Sequence, residues 1–235
     1  MGFALAHPHA PVAEMFNLTL TFDNGPDRDT TPGVLDLLAR EHIRSTFFVL
    51  GDKIRERHGR QLAARAAAES HWIGNHTMHH KVPLGEAPQP TAAALEEIDG
   101  TQVLLGDLSH HDHLFRPFGR GGAIGPHLLS RAALERLTAG AYTIVLWNSI
   151  PRDWAEPDSW VETALEHCRS QPWTLMVLHD LPTGAMRHLA RFIDLARAAG
   201  AQFRQNFPPE CVPLLRGKPM RALDAFVNSN GGQHG

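Results

Sequence analysis

Short runs with the period of a β-strand alternate with longer runs of helical period along most of the chain, and this alternation restricts the fold more than any other feature. Residues 18–22, Leu-Thr-Leu-Thr-Phe, alternate apolar and polar and lead into Asp23-Asn24-Gly25-Pro26, a sequence with turn chemistry, so a strand followed by a loop is expected. Thr31-Pro32 has the form of an N-cap followed by a first-turn proline, and Val34, Leu35 and Leu38 recur at helical spacing to about Glu41. The pattern repeats, with strands expected at 46–50, 72–75, 114–116, 142–147, 174–178 and 201–203. Helices are expected at 52–70 with a break at Gly59, at 91–105, at 126–139 closed by Gly140, and at 158–168. A last helical stripe, Ala185, Leu189, Phe192, Ile193 and Ala196, ends at Gly200. Strands joined through helices run parallel, and a chain of 235 residues without a composition break can enclose one large core. About seven such repeats fit one barrel-like α/β domain. Residues 1–16 are read as an extension, and the proline- then glycine-rich 206–235 as a surface tail fraying from about Asn228.

Composition narrows the function by exclusion. A formal charge of −3 leaves no basic field for a phosphate backbone, so nucleic acid is not an expected partner. Apolar runs such as 142–147 and 174–178 fall far short of the roughly 20 residues that cross a bilayer. The two cysteines, Cys168 and Cys211, form no Cys-x-x-Cys pair and are read as small buried hydrophobes. Residues 1–15 carry no basic flank before a long apolar run, which points to the cytoplasm while leaving a secreted form open. The 16 histidines direct attention to metal and acid–base chemistry. His110-His111-Asp112-His113 is one such cluster, but consecutive residues rarely all face one ion, and a solvated loop is expected there.

Reactive residues collect just after the C-terminal ends of successive strands. Asp23 and Asn24 follow the first strand, His76, His79 and His80 the third, Arg116 ends the fourth, Asp153 follows the fifth, and His179-Asp180 the sixth. Parallel α/β folds bring those ends to one face, so five separate loops are expected at one site.

Thr21-Phe22-Asp23-Asn24-Gly25-Pro26, His76-Thr77-Met78-His79-His80, Arg116-Pro117-Phe118-Gly119, Asp153-Trp154 and Leu178-His179-Asp180 resemble the ordered motifs of the polysaccharide deacetylase family, the NodB-homology domain. The resemblance runs from about residue 17 to about 205. It implies a distorted (β/α) barrel that hydrolyses an N-acetyl or related amide on a carbohydrate, an N-acetylated amino sugar, with a bound divalent metal, for which zinc is expected. Asp23 maps to the general base, His76 and His80 to metal ligands, and Arg116 to the arginine that pairs with the base carboxylate. On a helical turn, residues i and i+4 project from one face, a geometry in which His76 and His80 would close on one ion. His79 offers a competing i, i+3 pair with His76. His179 matches the general acid, tuned by Asp153, while Trp154 would line the groove and the backbone amide near Phe118 would bind the oxyanion. The alternatives are a surface ion pair for Arg116, a core histidine for His179 and barrel packing for Trp154.

Three departures bear on activity. Asn24 stands where the family has an aspartate as third metal ligand, and its neutral oxygen is expected to hold the ion weakly. The arginine motif is one residue short and runs into Arg120-Gly121-Gly122, read as flexible, and Ile150 occupies a position that is commonly acidic. Two further readings therefore stand beside the deacetylase: a weak or inactive carbohydrate-binding relative without its metal, and a hydrolase of a small cyclic amide or ureide.

Overall fold

β1 (Phe16–Asp23) runs through the centre of the fold, and its alternating pattern divides the core in two. Leu18, Leu20 and Phe22 pack between sheet and helices, whereas Thr21 and Asp23 point the other way and meet Arg116. The computed structural model describes residues 15–228. After β1 come α1 (Thr31–Arg40), β2 (Thr46–Val49), α2 (Gly51–Arg55), α3 (Arg57–Ala68) and β3 (Trp72–Asn75). One helical rod follows, made of α4 (Pro90–Ala94), a π-helical segment (Leu95–Gly100) and α5 (Thr101–Leu105). Next are β4 (Leu114–Phe115), β5 (Leu129–Ser130), α6 (Arg131–Ala139), β6 (Thr143–Ile144), α7 (Trp160–Arg169), β7 (Trp173–His179), α8 (Leu189–Ala198) and β8 (Ala201–Arg204). The chain continues through a hairpin of β9 (Leu214–Leu215) and β10 (Lys218–Pro219) to β11 (Val227–Asn228).

The main sheet has the order β10-β9-β6-β4-β3-β2-β1-β7, and β8 pairs with the first half of β1. Strands β1 to β4 and β6 to β8 are parallel, as a strand–helix alternation requires. Closure comes from the chain beyond β6. Ser149 bridges to Met176 of β7, with the Val177 N–H donating to the Ser149 carbonyl at 3.0 Å. The ring β1-β2-β3-β4-β6-β7 is thereby completed as a distorted barrel, with the C-terminal ends of its strands at one mouth. Outside it, α1, α3, α7 and α8 cover the apolar layer that contains Phe22 stacked on Phe47 at 5.0 Å and the fully buried Trp160.

Several local expectations change under tertiary contacts. Thr31 is not the N-cap; the helix begins at that residue, and its hydroxyl instead donates to Asp180 and accepts the Asp27 N–H. The break in 52–70 falls at Glu56, whose ψ of 138° is extended, not at Gly59. Gly59 lies within α3 because a Cβ there would sit 1.9 Å from the Lys53 carbonyl oxygen, so glycine lets the two helices meet. The helix expected from 126 starts only at Arg131, where Ser130 caps it by accepting the Ala133 N–H at 3.1 Å, because 129–130 pair with β11 instead. The segment beyond 206 is no loose tail as far as Asn228. Leu214 pairs with Ile144 of β6, and Cys211, Leu214, Phe226 and Val227 are buried in the second core. Apolar residues at those positions find an open sheet edge and a helix face to cover. Of the extension expected over 1–16, Phe16 is instead the buried first residue of β1, while residues 1–14 and the fraying over 229–235 lie outside the described residues.

Candidate active site

Arg116 anchors the barrel mouth. Its side chain is fully buried, so the surface ion-pair alternative does not apply. Nη1 donates to Asp23 Oδ1 at 2.8 Å and to the Thr21 hydroxyl at 2.7 Å, Nε donates to the Val145 carbonyl, and Nη2 to the Leu146 carbonyl. The guanidinium also lies over the Phe48 ring at 4.0 Å. Every face of the cation is thus matched to an acceptor or a ring, which is the condition for burying a charge. Its partner Asp23 is left with one fixed oxygen, and the other, Oδ2, is 3.5 Å from His76 Nε2.

The histidine motif is not a turn of helix. Thr77 and His80 have φ of 72° and 54°, so the chain folds through left-handed backbone rather than along an i, i+4 face. The His76 and His80 rings nevertheless come together, with centroids 4.8 Å apart. His76 Nδ1–H donates to the Arg116 carbonyl at 2.8 Å, a tautomer that leaves Nε2 as a free lone pair at the cavity. Burial pushes both imidazoles down to about 3, so both are neutral near neutral pH, the form that ligates a metal. His79 lies elsewhere: its ring bridges Asp52 at 2.7 Å and Glu96 at 3.0 Å, and the hydrogen bonds to those carboxylates raise its pKa.

Asn24 completes the group. Its Oδ1 is buried and has no hydrogen-bond partner among the described residues, and Asn24, His76 and His80 line one cavity of about 260 Å³ with Asp23 and His179. Two neutral imidazoles and an unpartnered amide oxygen facing one cavity are a fitting donor set for a divalent cation.

On the opposite wall Asp153 grips His179 twice. One carboxylate oxygen accepts the His179 backbone N–H at 2.8 Å and the other the Nδ1–H at 2.9 Å. Burial alone would lower this imidazole, but the hydrogen bond and charge of Asp153 more than offset it, so the pKa is raised. The ring therefore presents Nε2 as a proton carrier. Trp154 stands edge-on to it with centroids 4.7 Å apart and also lines the cavity.

Phe118 packs on His80 with ring centroids 3.9 Å apart, and among the described residues its N–H has no acceptor. The short loop beyond it is held rather than flexible. Trp147 Nε1–H donates to the Gly122 carbonyl at 2.9 Å, Arg120 pairs with Glu86, and Gly119 lies so close to Trp147 that a Cβ would come within 2.3 Å of the ring. Trp147, Val177 and Leu181, which motif reading did not single out, give the cavity apolar walls together with Ile150. Unforeseen were the pairing of Thr21 with Arg116 and that of Asp180 with Thr31, beside which burial pushes the Asp180 carboxyl up to about 7. No local pattern marks such pairings, since the partners lie far apart in sequence. His110, His111 and Asp112 do come within metal-ligand reach of one another, but at the other end of the strands, where Arg216 holds Asp112 at 2.5 Å and the Asp112 N–H occupies His110 Nδ1.

A cavity that pairs a fixed carboxylate with a backed imidazole can take a proton from water and return one to a leaving group, the acid–base pair that a hydrolytic reaction needs. Comparison with known proteins gives the family. The model of the family described as polysaccharide deacetylase matches residues 14–124. A chitooligosaccharide deacetylase of Rhizobium leguminosarum bv. trifolii is 34% identical over 166 residues, 70% of this chain and 71% of that protein. A peptidoglycan-N-acetylglucosamine deacetylase of Bacillus cereus is 32% identical over 166 residues, 69% of this chain and 72% of the relative. Among solved structures, a peptidoglycan N-acetylglucosamine deacetylase in complex with a naphthyl-substituted N-hydroxybenzamide superposes with a TM-score of 0.68 at 25% identity, over 87% of this chain and 92% of the other. The chain belongs to the polysaccharide deacetylase family and, with it, to the hydrolases of carbon–nitrogen bonds other than peptide bonds.

Proposed function

We propose that the protein removes the acetyl group from an N-acetylated amino sugar with the help of a divalent cation, zinc by expectation, held by His76, His80 and Asn24. The chemistry such an ion supplies there is Lewis-acid activation of water and of the acyl oxygen. Asp23, aimed by Arg116, accepts the proton of the attacking water. The Phe118 N–H offers a donor to the oxygen that gains negative charge as the carbonyl becomes tetrahedral. His179, whose protonated form Asp153 favours, then gives a proton to the departing amine, so that acetate and a free amino sugar result. Trp154 lines the sugar side of the cavity.

The observation that carries this reading is the convergence of an unpartnered Asn24 oxygen, two neutral histidines, Asp23 and His179 on one cavity. Acetate release from N-acetylglucosamine oligomers, measured with zinc added and after chelation, tests it. Zinc-dependent release is expected; a protein that binds zinc and releases no acetate from any oligomer sinks the proposal. A second reading, hydrolysis of a small cyclic amide, is favoured by the size of the cavity, about 260 Å³, and by its apolar walls of Trp147, Ile150 and Leu181. Parallel assays on a single sugar, an oligomer and a cyclic ureide separate the two.

A further inference from the structure

We infer that Glu97, carried by the π-helical segment Leu95–Gly100, is a positioning residue that holds the histidine loop in its cation-binding shape. The inference rests on the proposed role of His76 and His80. Between those two residues the backbone adopts left-handed φ at Thr77 and again at His80, an arrangement that persists only where surrounding contacts enforce it. Glu97 supplies the central contact: its Oε2 accepts both the Met78 N–H at 2.7 Å and the His79 N–H at 3.0 Å. These are consecutive amides on the short stretch that separates the two rings.

The rest of the segment reaches the same loop. The Ile98 carbonyl accepts from Asn75 Nδ2 at 2.8 Å, while Asn75 Oδ1 accepts the Thr77 N–H at 2.9 Å, so the residue before His76 is held as well. Glu96 binds His79 Nε2, and Asp52 binds the other ring nitrogen. Across the loop the Gly51 and Asp52 N–H groups donate to the Thr77 and Met78 carbonyls. The loop is thus clamped on two sides, by the start of α2 and by a helical turn of uncommon type that delivers two consecutive glutamates and a carbonyl. Such π turns are rare and recur at functional sites. With the Glu97 oxygen removed, two amides lose their acceptor and the loop is free to relax to ordinary backbone, which parts the His76 and His80 rings.

Zinc titration calorimetry on the full chain, stripped with chelator, tests the inference without relying on turnover. E97A should bind zinc about 10- to 100-fold more weakly than the wild type, as for other groups that orient metal ligands. E97Q retains an acceptor oxygen in the same place and should restore most of the affinity. I98V, which trims the same segment and leaves the acceptor in place, should bind like the wild type. A folded E97A that binds as tightly as the wild type, or an E97Q as weak as E97A, overturns the inference. If E97A does not fold, E97D decides: its shorter carboxylate cannot reach both amides, and wild-type affinity in that variant overturns the inference too. Failure of the underlying functional reading is seen separately, as a wild-type chain that takes up no zinc, and it removes the ground for both.

Discussion

Acidification of the metal-free protein probes the buried histidines directly. His76 and His80 have an ordinary pKa of 6.5 when unfolded and about 3 when folded. Between those values the unfolded chain binds a proton that the folded chain refuses, so their contribution to stability is complete above 6.5 and is lost as pH falls toward 3. From pH 7 to pH 5 each histidine removes about 2 kcal/mol by this linkage, and the pair about 4 kcal/mol. Asp180 acts in the opposite direction. Burial raises its pKa from 3.8 to about 7, so protonation as pH falls relieves the cost of a buried charge. Over the same interval it returns about 2 kcal/mol, leaving about 2 kcal/mol lost from these three groups together. His179 is also raised, so what it contributes is present at low pH and lost as pH rises; it is common to the variants compared and cancels. Urea unfolding at pH 7, 6 and 5 in chelator, followed by tryptophan fluorescence, reads these terms if the slope m stays constant. His80→Gln should lose about 2 kcal/mol less than wild type between pH 7 and 5, and Asp180→Asn about 2 kcal/mol more. Stability curves of His80→Gln and wild type that run parallel across the range would refute the reasoning, because they would mean that His80 accepts a proton in the folded state as readily as in the unfolded one.

Three further outcomes are expected. Asp153→Asn removes the partner that raises the pKa of His179, so the alkaline limb of the kcat profile should move to lower pH and kcat should fall by up to about 100-fold; a limb that stays in place contradicts the assignment of the acid. Asn24→Asp adds an anionic oxygen to the two imidazoles and should tighten zinc binding and raise turnover at limiting zinc, with the gap closing at saturation. Unchanged zinc affinity would remove Asn24 from the ligand set, and peptide mass mapping must accompany the assay because Asn24-Gly25 is a pair prone to deamidation to aspartate. Gly59→Ala should lower stability by about 1–3 kcal/mol despite the better helix propensity of alanine, since the new Cβ meets the Lys53 carbonyl; an unshifted urea midpoint would show that α2 and α3 can part at no cost.

The parts legible in the sequence are those in which the local pattern and the final environment agree. β1, β2, β3 and β7 could be read from their runs because strands covered by helices need continuous or alternating apolar residues wherever they lie in the sheet. The convergence of Asp23, His76, Arg116, Asp153 and His179 was legible for a related reason: Asp23 and His179 end their strands, the other three lie beyond strand ends, and parallel strands deliver their C-terminal ends to one mouth. Three-dimensional contacts alone decided the rest. The His76–His80 loop reads as a helical turn by spacing but is bent through left-handed backbone by acceptors on Glu97 and Asn75. Thr31 has the sequence signature of a cap, yet its hydroxyl is drawn to Asp180, 149 positions away. Arg116 is an ordinary charged residue until the barrel surrounds it with Asp23, Thr21 and two backbone carbonyls. A side chain's own propensity is worth a few tenths of a kcal/mol to about 1 kcal/mol, whereas leaving a buried donor, acceptor or charge unmatched costs more, so wherever the two conflict the distant partner sets the conformation.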